Sequence, residues 1–97
     1  TNRFQMFATQ NMWTFILLDS YNGRLWQVQY STQDLDNLFC IPINKNELVE
    51  NNERCVFSIQ PLTSMYQYYL INDNTGDMWK FQWSTKGDDY RWIERFR

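Results

Sequence analysis

The sequence predicts an all-β fold: two tandem four-stranded antiparallel meanders packed with pseudo-twofold symmetry, as a sandwich or a barrel. Three observations carry the prediction. Residues 1–44, moved forward by 53 positions, fall without a gap on 54–97, with nine identities in 44 pairs. Among them are Phe4/Phe57, Leu17/Leu70, Gly23/Gly76, Trp26/Trp79 and Gln29/Gln82. Aromatic and β-branched runs alternate with Asn, Asp, Gly and Ser clusters, as strands alternate with turns. No stretch holds apolar residues at helical spacing for long. A fixed-offset repeat marks a duplicated supersecondary unit. One such meander cannot shelter its own apolar face, whereas two can cover each other.

The 97 residues form one domain of three parts: a first unit at 1–44, a connector at 45–53 and a second unit at 54–97. Strands are expected at about Arg3–Phe7, Trp13–Ser20, Arg24–Ser31 and Leu38–Ile43 in the first unit. Their counterparts are Val56–Gln60, Tyr66–Asn72, Met78–Ser84 and Tyr90–Phe96. The connector is charged and amide-rich, and Leu48 and Val49 allow one helical turn within it.

The strongest local signal is the hairpin joining the second and third strands, through Gly23 in one unit and Gly76 in the other. Glycine takes the positive φ that hairpin turns demand. A two-residue Asn-Gly turn sets Phe15 opposite Tyr30 and Leu17 opposite Val28. A three-residue turn with a glycine bulge moves Ile16 and Leu18 onto the Trp26 face, and the Asn-Thr-Gly of the second unit suits it better. Either register gives the third strand one aromatic face and one amide face. The aromatic faces are Trp26/Val28/Tyr30 and Trp79/Phe81/Trp83; the amide faces are Gln27/Gln29 and Lys80/Gln82. The second strand is apolar on both faces, as a strand covered on both sides would be. Asp19, at a strand end, is placed to accept N–H bonds from the turn, and Asn72 to do the same.

The strings Trp13-Thr-Phe-Ile-Leu-Leu-Asp19, Gly23-Arg24-Leu25-Trp26-Gln27-Val28-Gln29 and Phe39…Pro42-Ile43-Asn44 resemble a group of duplicated, Trp-rich small proteins of Bacteroidetes and their phages. The resemblance spans essentially the whole chain and implies the fold, with no activity attached. The second unit departs from it, carrying Asn72 for Asp, Asp77 for Arg and Lys80 for Gln.

Composition excludes several classes of function. A formal charge of −2 lacks the basic footprint that duplex nucleic acid requires. Arg91, Arg95 and Arg97, interleaved with Trp92 and Phe96, read as a solvated strand face. No run approaches the ~18 apolar residues of a membrane helix, and no signal peptide is expected. The chain opens on Thr1, which leaves N-terminal processing open. Cys40 and Cys55 occupy non-equivalent repeat positions and read as two buried free thiols, favouring a reducing, cytoplasmic setting. With no histidine, His-based triads and metal sites drop out. Asp34, Asp36 and Asn37, echoed by Asp88 and Asp89, lack the Gly and Glu of a Ca²⁺ loop and read as solvated. No catalytic residue, cofactor or metal ligand is assigned.

The aromatic side chains remain: five Trp, six Tyr and seven Phe. Trp26, Trp79, Phe81 and Trp83 are expected in the core. Tyr21, in a turn, and Tyr69, in a polar neighbourhood, are the candidate ligand contacts, since exposed rings bind sugars and anchor protein interfaces. The expected function is a non-catalytic binding or assembly module that associates with itself or another protein. The alternative is a carbohydrate-binding protein, an oligomeric propeller built from two-blade chains.

Overall fold

A computed structural model of the chain describes residues 2–30, 38–49 and 56–97. Its strands are β1 Phe4–Ala8, β2 Thr14–Asp19, β3 Leu25–Gln29 and β4 Phe39–Pro42, then β5 Phe57–Pro61, β6 Gln67–Asn72, β7 Met78–Gln82 and β8 Trp92–Arg95. They form two antiparallel meanders, sheet A from β1 to β4 and sheet B from β5 to β8. Neither closes into a barrel. A single 3₁₀ turn, Asp88–Tyr90, is the one helical element among the described residues. Leu48 and Val49 form no helical turn; both pack against the core instead.

The repeat extends to register, with Leu17 opposite Trp26 in sheet A and Leu70 opposite Trp79 in sheet B. The hairpins, however, match neither turn considered from sequence. The Asp19 N–H donates to the Arg24 carbonyl at 2.9 Å, and the Asn72 N–H to that of Asp77 at 2.8 Å. Each loop therefore holds four residues, 20–23 and 73–76, closing on glycines at φ 79° and 80°. The extra length comes from the residue that opens the loop. The Asp19 carboxylate accepts the Tyr21 N–H at 3.1 Å, and the Asn72 amide oxygen accepts that of Asn74 at 2.9 Å. This register lies two residues from the Asn-Gly alternative. An even shift leaves every side chain on the same face.

The sheets meet face to face over one core. Sheet A contributes Ile16, Leu18, Leu25 and Ile43; sheet B contributes Phe57, Tyr68, Leu70, Trp79, Phe81 and Trp83. These faces are not equivalent in the repeat. Sheet A buries its amide face, with Leu25 and Gln27 fully covered. Sheet B buries its aromatic face. The Ser84 N–H donates to Gln27 Oε1 at 3.1 Å across the junction, so the buried amide keeps its acceptor satisfied. A pseudo-twofold would bring equivalent faces together, so the expected symmetry gives way to head-to-tail stacking. Sheet B stands to sheet A as the next layer of a pile.

Stacking also corrects the place of Trp26. Trp79, Phe81 and Trp83 are buried, but Trp26 is only half-buried, on the outer face of sheet A. Cys40 is a free, exposed thiol on that same face, opposite Val28, because β4 turns Phe39 and Ile41 toward sheet B. The other cysteine, Cys55, lies outside the described residues, as does the acidic stretch Asp34–Asn37.

Candidate functional site

Strand alternation builds the outer face of sheet A from Phe4 and Met6 on β1, Phe15 and Leu17 on β2, and Trp26 and Val28 on β3. Phe4 and Met6 are 52% and 56% exposed. Tyr30 extends the row, stacked on Phe15 at 5.9 Å and edge-on to Trp13 at 5.6 Å. No charged residue interrupts these strands on this side until their far end. There Arg24 lies over the Trp26 ring at 4.9 Å, and Arg3 lies 5.2 Å from the Phe4 ring. Arg3 also grips the buried Asp19 carboxylate through Nε and Nη2, at 3.0–3.2 Å. A contiguous apolar surface of this kind is a candidate interaction site.

The outer face of sheet B is of mixed character. Tyr69, Ile71, Met78, Trp92 and Phe96 share it with Ser58, Gln60, Gln67, Lys80, Gln82 and Glu94. Tyr69 meets Phe96 edge-on at 5.6 Å. The Gln67 amide donates to Gln82 Oε1 at 2.9 Å, and Gln82 donates in turn to the Tyr90 carbonyl at 2.9 Å.

At one end of sheet B, a cavity of about 200 Å³ opens between Tyr66, Trp83, Ser84, Thr85, Lys86 and Tyr90. Tyr66 packs on the covered Trp83 ring at 4.7 Å, while Tyr66 and Tyr90 are 43% and 51% exposed. Lys86 lies 5.7 Å from the Tyr90 ring centre. Arg91 ties down the loop, donating to the Ser84 carbonyl at 2.8 Å and to Asp88 at 2.6 Å. Its side chain is thereby only 8% exposed, where the sequence suggested a solvated group. The pocket offers ring edges, a hydroxyl-bearing loop and one ammonium, the furniture of polar-ligand recognition.

The two tyrosines singled out from sequence are not brought together. Tyr21 sits in the first hairpin loop beneath Arg3, whose guanidinium lies 5.1 Å from its ring. Tyr69 is half-buried in the middle of the outer face of sheet B. Sequence reading missed Tyr66 and Tyr90, since which of many tyrosines border a hollow depends on the loop at 84–90. It also took the aromatic face of sheet A for core. Among the described residues, no three Cys, Asp or Glu converge as metal ligands. No helix there is long and apolar enough to cross a membrane. Comparison with known protein families, curated proteins and solved structures finds no match to this chain.

Proposed function

We propose that this protein is a non-catalytic β module that works by binding, and that its principal partner is another copy of itself. The observation that supports this most is the outer face of sheet A. Strand β2 is apolar on both sides, yet among the described residues the core covers only one of them. The other side presents Phe15 and Leu17 beside the Trp26 and Tyr30 rings, all half-buried. Burying apolar surface at about 25 cal/mol per Å² makes association the expected fate of such a face. Sedimentation velocity across a concentration series tests it: the sedimentation coefficient should rise with concentration. A single species of monomer mass up to on the order of 100 μM, a range in which even weak association registers, would refute it.

A second reading is favoured by the hollow beside Tyr66 and Tyr90: the module binds carbohydrate there. Stacked meanders of about 44 residues have the size and arrangement of propeller blades, and sugars are recognised by tyrosine rings with nearby hydroxyls and ammonium groups. Glycan-array binding lost in Tyr66→Ala and Tyr90→Ala would favour it. An array that stays blank would count against it.

A further inference from the structure

We infer that copies of this chain associate head to tail, the outer face of sheet B in one copy seating on the outer face of sheet A in the next. This deepens the self-association reading and rests on it. The internal junction already shows how the two faces of this repeat fit. There the amide face of sheet A receives the aromatic face of sheet B. Each uncovered face is the repeat equivalent of one of the covered ones.

On sheet A, the half-buried Phe15, Leu17, Trp26, Val28 and Tyr30 of the outer face stand where sheet B buries Tyr68, Leu70, Trp79, Phe81 and Trp83. On sheet B, the half-buried Tyr69, Ile71 and Met78 of the outer face stand where sheet A buries Ile16, Leu18 and Leu25. Trp92 and Phe96 likewise correspond to Phe39 and Ile43. One chain thus carries both halves of a junction it has already built once. Two different faces that complement each other make a heterologous contact, which closes a ring where the rotation per copy allows and otherwise continues as an open stack. Propeller rings hold about 4–8 sheets, so two to four copies of this two-sheet chain would complete one.

Two substitutions distinguish the outer junction from the inner. Lys80 replaces Gln27, and Glu94 replaces Ile41, on neighbouring strands in register. An ammonium cannot accept the N–H bond that Gln27 takes, but it is attracted to aromatic ring faces such as those of Trp26 and Tyr30. Desolvating this Lys and Glu makes the contact between copies weaker than the one within the chain. The assembly is therefore reversible.

The test uses one variant on each face of the full chain. Val28→Glu spoils the outer face of sheet A, and Tyr69→Lys adds a second cation beside Lys80 on the outer face of sheet B. Circular dichroism verifies that both fold; Met6→Glu, at a 56% exposed position, replaces Val28→Glu if needed. Each variant alone should associate about tenfold or more weakly than wild type. Mixed, they should form a one-to-one heterodimer, because each keeps the face the other has lost. If wild type associates while Tyr69→Lys still pairs with itself, the contact is sheet A against sheet A. That outcome overturns the head-to-tail order and leaves self-association standing. A wild type that stays monomeric overturns both.

Discussion

Replacing Trp79 by Ala removes an indole that is 7% exposed and lies 5.7 Å from Phe57. It should cost about 3–5 kcal/mol, as loss of a large core ring does. Trp26→Ala, at the equivalent position of sheet A, should cost about 1–2 kcal/mol, because that ring is only half-buried. Urea midpoints of the two variants measure the contrast; equal losses would mean that the stacking order is wrong. Asp19 and its counterpart Asn72 form a second informative pair. Asp19 is 3% exposed and held by Arg3, whereas the second unit has neutral Asn72 and places Val56 where the cation stood. Arg3→Val should destabilise by leaving a buried carboxylate without its cation. Adding Asp19→Asn should recover most of the loss, since the amide still accepts the turn N–H as Asn72 does. A double-mutant cycle reads that coupling.

The hairpin loops separate two costs that usually travel together. Gly23 and Gly76 share φ near +80°, so Ala strains either backbone. A Cβ on Gly76 meets nothing within 4 Å, whereas one on Gly23 would come within 2.9 Å of Leu48 and 3.0 Å of Phe57. Gly76→Ala should therefore cost about 1–2 kcal/mol from conformation alone. Gly23→Ala adds overpacking, typically about 1–3 kcal/mol more. Thermal melts of the two variants distinguish them. Beside the second loop, the Arg95 guanidinium and the Thr75 hydroxyl hold the Asp77 carboxyl below its ordinary range. A lowered folded-state pKa gives stability that is present above the unfolded value and lost as pH falls through the folded one. Below pH ~4 the wild type should thus lose slightly more stability than Asp77→Asn. At this scale the sequence was readable: alternation and the repeat placed all eight strands, with every end within two residues. The hairpin register was not, because loop length depends on Asp19 and Asn72 capturing turn N–H groups. Nor was the choice of buried face. Period-two alternation says that two faces differ, but only the neighbouring sheet decides which one is covered, and here Gln27 goes inside while Trp26 stays out.

At the scale of the whole molecule, one hairpin loop of sheet A anchors both ends of the passage to sheet B. The Leu48 N–H donates to the Asn22 carbonyl at 2.8 Å, and the Phe57 N–H to the Ser20 carbonyl at 2.9 Å. The chain thus departs from and returns to the same hairpin loop. Loop-closure entropy grows slowly, by about 0.6 kcal/mol per doubling of length, so extra residues between those anchors should be well tolerated. Cutting the chain there leaves the contacts among the described core residues in place. It removes the effective concentration, on the order of millimolar, that a short tether supplies. A protease site introduced between residues 50 and 55 should accordingly yield two fragments that remain paired. The β spectrum would survive the cut, and the melting temperature would come to depend on protein concentration, as a one-chain transition became a two-chain one.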